Sequence, residues 1–132
     1  MPEKRTLQRA ARDRRQGKAP TTQAGEFVRE EIEHIRGGKH GARSTKQAIA
    51  IGLSKARRAG VKLRPPRKGK TSARTRRRAQ RDYARGQRGS SRKSSARRSR
   101  GTMRALKREG RGAASRRALS RQAKQAARRR AA

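Results

Sequence analysis

Apolar positions recur with a helical period in one part of the chain only. Ala24, Phe27, Val28, Ile32 and Ile35 fall on a single stripe of a 3.6-residue turn. Pro20, Thr21 and Thr22 precede the stripe, and the pattern predicts a helix with Thr21 or Thr22 as its N-cap. Gly37-Gly38 ends it. Glu26 lies toward the positive end of the helix dipole, and Glu30, Glu31 and Glu33 make the remaining surface acidic.

A second helix follows with sharper punctuation. Ser44-Thr45-Lys46-Gln47 has the form of a capping box, with Ser44 at the cap and Gln47 three residues on. Ala48, Ile49, Gly52, Leu53 and Ala56 share a face. Ala48, Gly52 and Ala56, four apart, leave room for a neighbouring helix to come close. Lys55, Arg57 and Arg58 suit the negative C-terminal end. Gly60 is the expected left-handed residue after it, and Pro65-Pro66 blocks any continuation. Residues 38–43 form a connection short enough for an antiparallel hairpin, one helix acidic and the other basic. Such a hairpin has few large apolar side chains for the backbone it must order. It therefore calls for self-association or for a flanking helix. Residues 3–15, with Leu7, Ala10 and Ala11 as a weak stripe, and residues near 72–85, with Ala73, Tyr83 and Ala84, are the candidates.

Outside this segment the composition changes the picture. Lys and Arg number 43 of 132 residues against 8 acids, a net charge of +35, while hydrophobic residues are 28% and aromatics 2%. Residues 1–20 and 21–63 each carry +5, and residues 64–132 carry +25. Low hydrophobicity with high charge is a signature of disorder. Residues 86–101, mostly Gly, Ser and Arg, suggest a flexible linker. A short helix is expected over 102–109, around Met103 and Leu106. Residues 112–131 contain good helix formers, but the Arg117–Arg121 and Lys124–Arg128 pairs repel at i,i+4, so this stretch is expected to fold on binding a polyanion. The expected fold class is mostly α: a short α-helical hairpin with a long disordered or conditionally helical basic tail. The divisions are a basic, partly helical arm at 1–20, the hairpin domain at 21–63 and an Arg-rich low-complexity tail at 64–132.

The charge points to a polyanionic partner, and Arg-rich composition favours phosphate through its planar fork. With Phe27 and Tyr83 as the aromatic residues, base-stacking platforms for single strands are lacking, so duplex DNA is favoured, with RNA as an alternative. In the Lys39–Lys46 stretch, glycines, cations and hydroxyls lead into a helix N-terminus, which attracts phosphate. The same glycines and Ser44 also serve a simple turn and cap. The expected nucleic-acid-binding set is Lys39, Arg43, Ser44, Thr45 and Lys46, then Lys55, Arg57 and Arg58. In the tail it continues with Arg74, Arg76, Arg77, Arg78, Arg97, Arg98, Arg116, Arg117, Arg128, Arg129 and Arg130.

Other chemistry is sparse. There is no cysteine, hence no disulfide framework or thiolate site. Glu30, Glu31, His34 and His40 contain one E-x-x-H pair, which a solvated helix face explains as well, so no metal or cofactor is expected. Ser90, Ser91, Ser94, Ser95 and Ser99 among arginines could accept phosphate groups, but linker composition accounts for them. No nucleophile, base and orienting group stand together in the pattern, so no enzyme is expected. No apolar run has membrane-spanning or leader length, which suits a soluble, cytoplasmic protein at the nucleoid.

The stretch GEFVREEIEHIR at 25–36, continued by GGKHGARSTKQAIAIGLSKARRAG at 37–60, resembles a family of small basic bacterial proteins. That family is carried as a domain of unknown function, with some members labelled plasmid stabilisation protein. The likeness is close over 20–66 and extends loosely to ALKREG at 105–110 and ALSRQA at 118–123. The tail also looks like linker-histone tails and bacterial histone-like proteins. The resemblance implies a bacterial origin and a DNA-related role. The expected function is thus sequence-tolerant DNA binding of a nucleoid-associated or plasmid-maintenance kind, with possible self-association through 21–63. The alternatives are an RNA- or ribosome-associated protein, or an adaptor that docks a protein partner on the acidic helix 21–36.

Overall fold

The structure, a computed structural model, describes residues 2–89 and 96–131. Its elements are helices α1 (Lys4–Arg15), α2 (Pro20–Arg36), α3 (Thr45–Arg58), α4 (Ala73–Gln87), α5 (Ala96–Lys107) and α6 (Arg116–Ala131), with a 3₁₀ turn at Gly112–Ala114. Among the described residues the β-structure is one isolated bridge, Lys68 with Thr71. The described residues fall into two compact units, one from 2–30 and 51–89, the other from 31–50 and 96–131. Helices α2 and α3 contribute their two halves to different units.

The first unit holds an apolar cluster: Ala10, Ala24, Phe27, Ala56 and Val61, with Leu53 and Leu63 packed against it. Helix α2 starts two or three residues earlier than the threonines suggest. Pro20 is its first residue, where a preset φ and a missing N–H cost nothing, and Ala19 accepts from the N–H groups of Thr22 and Gln23. Gly52 lets α3 meet α2 backbone to backbone, since a Cβ there would lie 2.6 Å from Cα of Val28. Contact of residue 28 with 52 across a loop centred near 40 is the register of an antiparallel hairpin.

Both expected flanking helices are present and docked. On α1 the buried residues are Thr6, Ala10 and Asp13, while Leu7 is 42% exposed. Of the expected stripe, Ala10 is buried and Ala11 half-buried, and Leu7 alone turns outward, where the polar groups of Thr6 and Asp13 take the inner positions. The Glu30 carboxylate accepts from the Glu3 backbone N–H at 2.6 Å and from the Thr6 hydroxyl at 3.1 Å. On α4, Ser72 caps the first turn by accepting from the Thr75 N–H. Gly86 lies directly on the Arg57 carbonyl, and Gln87 donates to the carbonyl of Gly60 at 3.2 Å. The Ser54 hydroxyl donates to Asp82.

The second unit is knitted largely by backbone. Gly41 N–H donates to the carbonyl of Leu106 at 2.9 Å and Ala42 N–H to that of Gly110 at 3.1 Å. Arg36 Nε donates to the Ala114 carbonyl and the Thr45 hydroxyl to that of Ala113. Ile32, Ile35, Ala42, Ala48, Leu106 and Ala114 are its buried apolar residues.

The long disordered tail is therefore overturned: past Pro66 the chain forms α4, α5 and α6. Residues 86–87 complete α4 and 96–101 open α5 where a flexible linker was expected, and α5 is longer than the short helix expected over 102–109. Residues 88–89 form the turn that ends α4, and the remaining linker positions, 90–95 with Ser90, Ser91, Ser94 and Ser95, lie outside the described residues. Helix α6 forms despite its like-charge pairs. Each costs only about 0.2–0.5 kcal/mol, and Ser115 caps the helix by accepting from the Ala118 N–H. Its half-buried positions, Ala118, Leu119, Gln122 and Ala126, lie along one side. Composition reads apolar area only. It misses folding driven by small residues that bring backbones together.

Candidate nucleic-acid interface

The N-terminus of α3 is built as its sequence suggests. Ser44 Oγ accepts from the Gln47 N–H at 3.1 Å, and Gln47 Oε1 reaches back to the Arg43 N–H at 2.6 Å. Just before it, Gly38 adopts φ +77° and closes α2 with a paired C-terminal turn. Its N–H donates to Ile35, and that of Lys39 to His34. Gly60 does the same for α3 at φ +101°, its N–H donating to Arg57 and that of Val61 to Ala56.

A cleft of about 410 Å³ opens at the start of α3. Arg43, Ser44, Thr45 and Lys46 form one wall, Gly112 and Ala113 the floor, and Ala118, Arg121, Gln122 and Gln125 of α6 the other wall. Its lining carries three cations, two side-chain amides and no carboxylate. Three α6 residues here were missed from sequence. Arg121, Gln122 and Gln125 lie far from Ser44 along the chain, and no local pattern marks them.

The expected set separates into two kinds. Lys39, Arg43, Ser44, Lys46 and Arg58 are exposed, although Ser44 is occupied as a cap and Arg58 Nε donates to the Ser54 carbonyl at 3.4 Å. Arg74, Arg77 and Arg78 on α4, Arg97 and Arg98 on α5, and Arg116, Arg117, Arg128, Arg129 and Arg130 on α6 are exposed as well. On α6, Arg117, Arg121, Lys124 and Arg128 form a row about 16 Å long.

Others are used by the fold. Thr45 is buried against Ala113. Arg57 is 8% exposed, with Nε on the carbonyl of Leu63 at 3.1 Å and Nη2 on that of Arg64 at 3.3 Å. Burial lowers the Arg57 pKa from the usual guanidinium value, and the charge of Asp82 works against that shift. Arg76 Nε donates to Pro66, and half-buried Lys55 lies 3.9 Å from Glu30. These cations satisfy carbonyls and a carboxylate that packing removes from water.

The acidic residues of α2 are also drawn inward. Glu30 and Glu31 are 2% and 1% exposed. Glu31 lies 3.2 Å from His40, so the solvated helix face expected for Glu30, Glu31 and His40 is not what forms.

Residues 3–68 match the model of a family described as a family of unknown function (DUF6496). The match takes in α1, which the sequence likeness over 20–66 leaves out, and ends before α4. No curated protein and no solved structure matches the chain. Among the described residues no helix is long and apolar enough to cross a membrane.

Proposed function

We propose that this chain, which belongs to the family of unknown function DUF6496, is a non-enzymatic protein that binds duplex DNA through its phosphates with little regard for sequence. The cleft between the N-terminus of α3 and α6 carries the reading. Arg43, Lys46 and Arg121 surround it without a carboxylate, and α6 extends the charge as a row of cations. Rows of cations on helices neutralise phosphates and release counterions, which needs no base contacts. A net charge of +35 on a folded helical chain is most simply accommodated by such a partner. The role would be of the nucleoid-associated or plasmid-maintenance kind, in the cytoplasm of a bacterium.

Burial of Glu30 and Glu31 leaves half-buried Glu26 and exposed Glu33 as the acidic surface of α2, which weighs against an adaptor working through that face.

The test is duplex affinity across a salt series. If about ten phosphates are neutralised, log affinity falls against log salt with a slope near about −9. A slope near zero rejects the proposal. Competition with structured RNA at one salt concentration decides between the two nucleic acids.

A further inference from the structure

We propose that Glu31, His34 and His40 form a binding site for one divalent transition-metal ion of the zinc class. The inference stands apart from the nucleic-acid reading. One ligand atom from each of the three residues lies within 4.8 Å of the others. Glu31 and His34 share a face of α2 one turn apart, and His40 comes from the loop that follows. The two imidazole rings meet edge to face with centroids 5.9 Å apart.

The orientation of His40 is the second observation. Its Nδ1 lies 2.9 Å from the carbonyl of Gly41. A carbonyl can only accept, so Nδ1 carries a hydrogen, and Nε2 is the nitrogen turned toward Glu31. This is the backing that metal-bound histidines commonly have, with the far nitrogen donating to a backbone carbonyl. Gly41 is itself held by the bond from its N–H to Leu106.

His40 Nε2 faces Glu31 Oε2 at 3.2 Å, with both side chains 1% exposed. Ligands about 2.0–2.1 Å from a tetrahedral ion sit about 3.4 Å apart, close to the separation seen. Two imidazoles and a carboxylate are the donors that zinc accepts, and three of them leave a fourth position open. His40 also borders a cleft with Glu109. Bound metal would pin the last turn of α2 to the loop that leads into α3.

The experiment uses the full chain without a histidine tag, stripped with chelator and dialysed. Calorimetric titration with Zn²⁺ is expected to saturate at one ion per chain, with Mg²⁺ giving no heat. Co²⁺ is expected to produce the visible bands of a tetrahedral nitrogen–oxygen site. His34 is half-buried, so His34→Asn should keep the metal-free melting temperature while weakening Zn²⁺ at least about tenfold and removing the Co²⁺ bands. Absence of saturable binding would leave His40 and Glu31 as an ordinary contact pair, and overturns the proposal. Equal Zn²⁺ binding by H34N would mark surface sites only, and also overturns it. If H34N melts early, the Co²⁺ spectrum of the unaltered chain decides: no tetrahedral bands, no site.

Discussion

Gly52 of α3 stands so close to Val28 of α2 that a Cβ at position 52 would lie 2.6 Å from the Val28 Cα and 2.9 Å from its Cγ2. Real Cβ atoms do not come that near. Gly52→Ala gains up to about 1 kcal/mol of helix propensity, but forces the two backbones apart in the unit that holds Phe27 and Ala56. Overpacking of this kind costs about 1–3 kcal/mol, so the net expectation is a loss of stability. Denaturant unfolding of G52A against the unaltered chain checks it, and an unchanged or raised midpoint would count against the packing described.

Glu30 joins three helices. Its carboxylate accepts from the Glu3 N–H and the Thr6 hydroxyl, and Lys55 of α3 lies 3.9 Å away. Glu30→Ala leaves the buried Thr6 hydroxyl and the Glu3 N–H without their acceptor, at about 1–3 kcal/mol. Thr6→Val removes the hydroxyl that Glu30 serves. The two changes are expected to be less than additive, with a coupling of about 0.5–3 kcal/mol in a double-mutant cycle. Simple additivity would show that α1 is not held through this carboxylate.

Arg57 tests the difference between a structural cation and a binding one. Its guanidinium satisfies the carbonyls of Leu63 and Arg64 and is nearly inaccessible. Arg57→Gln is expected to lower stability by about 1–3 kcal/mol. It should leave the salt slope of DNA binding unchanged. A slope shallower by about one would place Arg57 on a phosphate instead.

Lys46 and Arg121 are expected to behave the other way. Both are exposed and line the same cleft from different helices. Lys46→Gln and Arg121→Gln should each shift stability by no more than about 0.5 kcal/mol. Each should make the salt slope shallower by about one. Filter binding or anisotropy across a salt series reads the slope, and melting curves read the stability. Two variants that bind duplex as the unaltered chain does would move the interface elsewhere.

The hairpin was legible because its signals are local. The stripe from Ala24 to Ile35, the cap at Ser44 and the glycine at 60 each act within a few residues. Capping and helical periodicity are short-range interactions that adjacent side chains encode. The fold of the tail is not legible in composition, which measures apolar area and charge, whereas α4 is placed by something else. Gly86 on the Arg57 carbonyl and Gln87 on Gly60 are backbone contacts between residues far apart in sequence. Glu31, His34 and His40 are all named as candidates in the sequence, beside Glu30, and the E-x-x-H spacing already pairs the first two. The turn of the loop that brings His40 to them is not legible there.

The sequence by itself determined where α2 and α3 stop, which of their faces are apolar, and that the chain carries an excess of 35 positive charges. Those follow from propensity, turn geometry and counting. Tertiary structure alone decided which charges are spent inside. It buried Glu30, Glu31, His40 and Arg57 against partners from other segments, and left Lys46 and Arg121 open on one cleft. A side chain's charge is fixed by its chemistry, but whether water or protein satisfies it depends on which distant backbone packing brings near.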